Sequence, residues 1–449
     1  MTAPARIAAY HAVRAIDAAR ADLPAALLNS RQHLSDDRDR ALAAEIVTGT
    51  LRWQRSLDHL VEHFSKRRIA KLDAEVVSIL RLSLYQLLHL DRVPASAVVD
   101  DAVDLTRAAR KPSAAGFVNA VLRATLRQRN KLPLPPRPAD PADREAALAY
   151  LGITHSHPDW LVARWLDRLG FDASERRVQF NNATPPLTVR VNRLRATRED
   201  AVAALSADGV ETEPTRFAPD GLAITEGNPL RRPADGLVFV QDEASQLVAL
   251  VAGARPGERV LDLCASPGGK TIAMAADMRE SGRIVASDVR DRRLNLLQQT
   301  VRTSGARIVS VVRVPAEGAL PFGATFDRVL VDAPCSGLGT IRRDPDIRWR
   351  RRESDLPSLA RDQVALLQRA ADVLRPGGTL IYATCSSEPD ENDEVVEAFT
   401  AARPDFARVD LRERANAVLA SFVGRDGFFR TSPEAHGLEP FFAAVLIRS

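Results

Sequence analysis

Five short apolar runs recur between residues 259 and 385, and helical stretches separate them. They are RVLDLC (259–264), RIVASD (283–288), RIVSVV (307–312), DRVLVDAPC (327–335) and TLIYATC (379–385), and FFAAVLI (441–447) closes the chain. Nearly unbroken Val, Ile and Leu marks a strand buried on both faces, and successive parallel strands require a crossover helix between them. From about residue 241 this rhythm predicts a doubly wound, mostly parallel α/β sheet. Ligands in such sheets lie beyond the carboxyl ends of the strands, so chemistry is sought in the residues that follow each run.

Upstream the pattern differs. Residues 1–130 read as an all-α domain: Val13, Ile16, Leu23 and Leu27, then Leu57, Leu60, Val61 and Phe64, then Ile79 through Leu88 fall near helical spacing. KLPLPPRPADPA (131–142) holds five prolines in twelve residues and reads as a linker. Residues 143–240 form an intermediate segment. It begins helical, with Trp160, Leu161, Trp165 and Leu169 on one face, and continues as a small α/β piece with LTVRVN (187–192) as a strand. Residues 241–449 are the sheet domain.

Charge and cysteine usage narrow the class. Residues 1–140 hold 22 Lys and Arg against 15 Asp and Glu, and the remainder 40 against 43. A basic module on a near-neutral body suits a nucleic-acid partner or a solvated Arg-rich surface. Three cysteines in 449 residues exclude a disulfide scaffold and fit a reducing cytoplasm. No apolar stretch reaches membrane-spanning length, and the N-terminus lacks a signal-peptide pattern, so no membrane partner is expected.

The first run leads into Cys264-Ala265-Ser266-Pro267-Gly268-Gly269-Lys270-Thr271. Two glycines allow close backbone approach, and the helix that follows turns its free amides toward a ligand. No glycine lies five residues before Gly269, so this is not a P-loop. Asp288 ends the second run, 20 residues after Gly268, where a carboxylate can accept from ribose hydroxyls. The pair indicates an adenosyl cofactor, NAD or S-adenosylmethionine (SAM). Lys270 stands out because the chain has 5 lysines against 57 arginines and none follows it.

All three cysteines fall at carboxyl ends of expected strands: Cys264, Cys335 in Asp332-Ala-Pro-Cys335, and Cys385 in Thr-Cys385-Ser. There is no CxxC and no histidine near them, so a metal site is not expected. A thiolate is a strong nucleophile suited to an electrophile that must first be activated. Carbon 5 of cytosine is such a case. Thiolate addition to carbon 6 makes carbon 5 nucleophilic, and Asp332 could protonate the ring nitrogen and stabilise developing charge.

CASPGGKT, Ser287-Asp288, DAPCSGLGTIRRDPDIRW (332–349) and LRPGGTLIYATCS (374–386) resemble the SAM-dependent RNA cytosine-5 methyltransferases. GFVNAVLR (116–123) resembles the signature of NusB, a helical RNA-binding fold. With SHPDWLVARW (156–165), PPLTVRVN (185–192) and VQDEASQL (240–247), the whole chain resembles the bacterial 16S rRNA methyltransferases known as RsmB, Sun or Fmu. That resemblance implies a NusB-like domain, a small α/β piece and a Rossmann-like class I SAM methyltransferase domain. It implies Cys385 as the attacking thiol, Cys335 as the thiol that assists breakdown of the adduct, and cofactor contacts from Cys264 to Lys270, Asp288 and Asp332. The family's usual acidic residue after the third strand is replaced by Val314-Pro315, leaving Glu317 or backbone groups to serve, and its Asp-Gly-Phe-Phe is Glu439-Pro440-Phe441-Phe442.

IRRDPDIRWRRR (341–352) follows the Pro-Cys motif. Arg342, Arg343, Arg348 and Arg350 are expected to pair phosphates and Trp349 to stack on a base. KRRIAK (66–71) gives the helical domain a basic spot. The expectation is a cytoplasmic, monomeric enzyme acting on 16S rRNA. A tRNA cytosine-5 methyltransferase and a non-catalytic antitermination-type RNA-binding protein are the rival readings.

Overall fold

The structure is a computed structural model that describes residues 2–229, 236–414 and 416–449. Two units divide it. The first comprises the residues up to Ala183 together with Ile341–Glu353; the second comprises Thr184–Thr340 and Ser354–Ser449.

The first unit is helical. Its helix Ala74–His89 is apolar nearly all round, and every residue from Val76 to Leu87 is buried. A helix with no polar face must be surrounded, and the helices Pro4–Asp17, Asp37–Arg52, Gln54–Ser65, Ala95–Ala108 and Ala115–Arg127 supply apolar residues to the core around it. Arg81 is buried with it because Asp58 receives its guanidinium through two bonds of 2.6 and 2.7 Å. Tyr85 crosses Gly49 so closely that a Cβ there would lie 1.8 Å from its ring, and Tyr85 OH donates to Glu45 at 2.5 Å.

The proline-rich stretch is not a free linker. Leu132 and Leu134 pack against the helical core, Pro133 O meets His59 Nε2 at 2.9 Å, and Thr154 donates to Pro135 O at 2.7 Å. Leucines alternating with prolines keep the chain extended while giving it something to bury. The helices over 144–182 fall in one unit with the N-terminal helices, and the division between the two units lies at Ala183. The last of them, Asp159–Asn182, kinks at Gly170, whose φ is +74°.

Among the described residues the second unit holds two sheets. The smaller contains β1 (Thr188–Val191), β2 (Glu211–Pro214), β3 (Gly221–Glu226) and β4 (Val238–Val240) in the antiparallel order β2-β3-β1-β4. Its helix Arg198–Ala207 begins at a capping box in which Thr197 and Asp200 bond each other's backbone amides. The larger contains β5 (Arg259–Asp262), β6 (Arg283–Asp288), β7 (Val309–Arg313), β8 (Phe326–Asp332), β9 (Leu374–Thr384), β10 (Phe406–Arg408), β11 (Phe429–Thr431) and β12 (Phe441–Arg448). Its order is β10-β12-β9-β8-β5-β6-β7, with β11 on β12. Strands β5 to β9 are parallel and β12 runs antiparallel to β9.

Alternate residues of the central strands enter two cores. Leu330, Ile381, Ala383, Ala443 and Val445 meet the helices Glu243–Ala252 and Gly269–Asp277. Val329, Val331, Leu380, Tyr382, Ala444 and Leu446 meet Leu356–Val373 and Asp393–Ala402. The sheet is therefore covered on both faces, as continuous apolar strands require. Among the described residues no helix is long and apolar enough to cross a membrane.

Candidate active site

Three neighbouring strands end in aspartate: β5 at Asp262, β6 at Asp288 and β8 at Asp332; β9 ends one residue before Cys385. The turn after β5 is closed by Gly268 N donating to Ala265 O at 2.7 Å and tied to β6 by Ala265 N donating to Ser287 O at 2.9 Å. Gly268 has φ +107°, and a Cβ on it would press on Leu297 and Thr300 at 2.9 and 3.2 Å. Both conditions demand glycine. The helix Gly269–Asp277 starts there and presents its first amides at the loop. Arg190 of β1 braces the turn, donating to Gln241 Oε1 at 2.7 Å and to Gly269 O at 2.9 Å. Burial pulls its pKa down to about 10.

Asp288 accepts from Val289 N at 2.8 Å and pairs with Arg293 at 3.0 Å. Arg293 in turn donates to Ser266 O at 2.9 Å, so the β6 carboxylate and the glycine turn are held as one piece. Asp262 is buried and takes a bond from Thr271 at 2.6 Å on Oδ2, while Oδ1 has no protein partner. Burial, with the nearby Asp332 and Asp288 charges, pushes its pKa up to about 7. The folded chain therefore binds this proton more tightly than the unfolded chain. The resulting stability is complete near pH 4 and is lost as the pH rises through about 7. Denaturant titrations should show a loss of roughly 3–4 kcal/mol over that range in the ligand-free protein. Asp262→Asn should remove most of that slope; an equal slope in the variant would assign it elsewhere.

Lys270 Nζ pairs with Asp332 Oδ2 at 2.7 Å and lies 5.7 Å from the centre of the Phe441 ring. Burial works against its charge, but Asp332 outweighs it and the pKa of the ammonium ends raised. Beside this pair, Cys335 Sγ and Cys385 Sγ are hydrogen-bonded at 3.3 Å, both as free thiols. The bond to Cys385, then burial, then the Cys385 and Glu391 charges push the Cys335 thiol well up. Cys335 thus keeps its proton. Cys264 is raised too, by burial and by the surrounding aspartates, which suits a neutral lining group rather than a nucleophile.

The two cysteine loops touch through Gly339, whose N donates to Cys385 O at 3.0 Å. A Cβ on Gly339 would lie 2.1 Å from Pro440 O. The Glu439-Pro440 departure from the family pattern leaves the final hairpin formed: Thr431 donates to Glu439 O at 2.6 Å and β11 pairs with β12. After β7, Arg369 donates to the carbonyls of Pro315, Ala316 and Gly318, while Glu317 is exposed.

Residues 249–447 match the model of the 16S rRNA methyltransferase RsmB/F family, residues 3–127 the NusB family, and residues 157–231 an RsmF/B-like ferredoxin-like domain. The ribosomal RNA small subunit methyltransferase B of Pseudomonas putida is 35% identical over 94% of this chain and 97% of its own length. The chain belongs to the ribosomal RNA small subunit methyltransferase B family. The same-named protein of Serratia proteamaculans is 35% identical over 90% of this chain and 92% of its own. A crystal structure of a protein designated PH0851 superposes with a TM-score of 0.79 at 27% identity over 99% of both chains.

In this methyltransferase B family member the strand-end residues gather within the second unit. The arginine-rich segment Ile341–Glu353 is a separate matter. It belongs to the helical unit. Arg348 is 0% exposed and donates to Ser156 O at 2.8 Å, Asn182 Oδ1 at 3.0 Å and Asn181 O at 3.3 Å. Trp349 donates its indole N–H to Leu51 O at 2.6 Å. Arg342 lies over the Phe180 ring at 4.4 Å and donates to Ala183 O. The expected phosphate contact is therefore corrected for Arg348, which is buried inside the unit, while Trp349 is half-buried with its indole N–H bonded there. Arg343 is half-buried there too, and Arg350 is exposed but bonded to Asp346 at 2.8 Å.

Sequence reasoning passed over Asp262, Arg190, Arg293, Gln241 and Phe441 at the cofactor side, and Glu391, Ser336, Ser386 and Gln363 beneath the cysteines. Asp262 had a signal: a carboxylate inside an otherwise apolar strand.

Proposed function

We propose that the chain methylates carbon 5 of a cytosine in small-subunit ribosomal RNA with SAM as methyl donor. The observation that carries this is the 3.3 Å approach of Cys335 and Cys385 beside the Lys270–Asp332 pair at the ends of β8 and β9.

The residues present fit SAM. Gly268 and Gly269 form a turn packed too closely on Leu297, Thr300 and Gln241 to carry side chains, which keeps its backbone bare, Asp288 stands at the end of β6, and Asp262 Oδ1 is buried without a protein partner. Cys264 to Lys270, Asp288 and Asp332 would hold the cofactor, which when bound supplies an electrophilic methyl group. Cys385 attacks carbon 6 of the cytosine as a thiolate, forming the sulfur–carbon bond that makes carbon 5 nucleophilic. Asp332, held by Lys270, faces the charge that develops on the ring. After carbon 5 has received the methyl group and given up its proton to solvent, the sulfur–carbon bond breaks with its electron pair on Cys385. The Cys335 thiol, within hydrogen-bond distance of that sulfur, stabilises the departing thiolate. A cytosine within a stem must leave its stack to reach Cys385.

On the helical unit, Arg67 and Lys71 line a groove with Phe117, and Arg67 lies 5.3 Å over that ring. These cations are candidates for phosphate contact. Free thiols and an RNA substrate suit the cytoplasm. Incubating the protein with SAM and either 16S rRNA or tRNA transcripts, followed by bisulfite mapping, tests the reading: one protected cytosine in 16S rRNA is expected, and exclusive tRNA modification would overturn the substrate. Asp288→Ala should weaken SAM binding by about 1–3 kcal/mol, roughly five- to 150-fold. Calorimetry that finds unchanged affinity in the folded variant would remove Asp288 from the cofactor site.

A further inference from the structure

We propose that Glu391 is a positioning residue that locks the two cysteine loops into one reacting geometry. Glu391 is 0% exposed and lies in the turn Pro389–Glu391 after β9. Its carboxylate accepts four hydrogen bonds. Oε1 takes Ser336 N at 2.7 Å and Gln363 Nε2 at 3.1 Å; Oε2 takes Ser336 Oγ at 2.5 Å and Ser386 Oγ at 2.6 Å. A carboxylate has about four acceptor sites, and here all are used.

The partners decide what this does. Ser336 follows Cys335 and Ser386 follows Cys385 in the chain. One oxygen thus bridges the residues adjacent to both sulfurs, and the two hydroxyls lie 3.3 Å from each other. Gln363 adds a third point by donating to Pro334 O at 3.0 Å, on the other side of Cys335. Tyr382 fixes the clamp, donating to Glu391 O at 2.6 Å and Gln363 Oε1 at 3.0 Å. The loops come from strands β8 and β9 and have no covalent tie, so the 3.3 Å separation of the sulfurs depends on whatever joins the loops. Displacement of reacting atoms by about 1 Å costs on the order of a hundredfold in rate.

A burial requirement alone would be met by an apolar side chain. The acidic stretch Glu388 to Glu394 reads as the charged start of the helix Asp393–Ala402, which hides this role in the sequence. Gln in place of Glu391 keeps the shape but replaces one oxygen by an NH2 group. Ser336 Oγ and Ser386 Oγ already accept from Leu338 N and Glu388 N, so their own protons would then lack an acceptor.

The test rests on Cys385 being the nucleophile and uses the full-length protein with SAM and a 16S rRNA transcript containing 5-fluorocytidine, whose fluorine blocks the release step. The unaltered protein should form a covalent adduct on a denaturing gel; its absence would overturn the Cys385 reading and this proposal together. Glu391→Gln should form the adduct roughly ten- to a hundredfold more slowly, with SAM affinity and RNA KM held. Ser386→Ala, which removes one bond and leaves the buried carboxylate three donors, should slow it several-fold. The double variant should be no slower than Glu391→Gln, because both act through one clamp. Adduct formation at the unaltered rate in both single variants, or multiplied losses in the double variant, would overturn the clamp while leaving Cys385 in place. Slowing that parallels a loss of SAM affinity would also overturn it, since that is a general structural effect.

Discussion

Cys385→Ala should lose methyl transfer entirely and form no covalent RNA complex, while it still binds SAM and RNA. Cys335→Ala should behave in the opposite way: attack and methylate once, then stall with RNA attached. The asymmetry follows from the two roles proposed for thiols that lie 3.3 Å apart, with burial and the bond to Cys385 holding the hydrogen on Cys335. Removing the Cys335 S–H removes the group that stabilises Cys385 as it leaves, so forward chemistry survives and release suffers. Denaturing gels after a single turnover read this directly, as a shifted band of roughly one RNA per chain in Cys335→Ala. An adduct trapped in Cys385→Ala and missing from Cys335→Ala would exchange the two roles. Full activity in both would end cysteine catalysis as an account.

Arg348→Ala should destabilise the helical unit by about 3 kcal/mol, because carbonyls of buried residues at Ser156 and Asn181 lose a charged donor. For a unit of this size that corresponds to a fall of about 6–12 °C in its melting transition. Part of the loss is offset, since burial and Arg52 already push the Arg348 pKa well down and its removal relieves that cost. A phosphate-contacting arginine would give a different result: unchanged melting and a reduced salt slope of RNA binding. Calorimetric scans beside salt titrations separate the two, and unchanged melting would restore Arg348 to the RNA-facing set.

The sheet was legible because its strands are apolar throughout, a pattern that has few alternatives when helices intervene. The same burial made the glycine turn, Asp288, Lys270 and the cysteines readable, since each occupies a strand end where only a ligand-facing residue is expected. What escaped reading was the fate of charge. Arg348 and Glu391 look like surface residues by type, and arginines beside a nucleophile look like phosphate ligands. Their burial depends on partners far away in sequence: Ser156 and Asn182 for one, Ser336 and Gln363 for the other. Local spacing carries no trace of such pairings. The proline stretch misled for a related reason, because proline reports an extended chain and does not report whether that chain is packed.

The thirteen residues Ile341–Glu353 complete a unit whose other members all precede Thr184. Synthesis runs in one direction, so the ribosome must add residues 184–340 before that last piece exists. At about 5–20 residues per second, the gap lasts roughly 8–30 s. Through that interval the nascent helices carry a slot lined by the Ser156 and Asn181 carbonyls, awaiting a guanidinium not yet translated. The N-terminal half therefore cannot reach its final stability ahead of the rest, and full protection from proteolysis should arrive only once the chain has grown past residue 353.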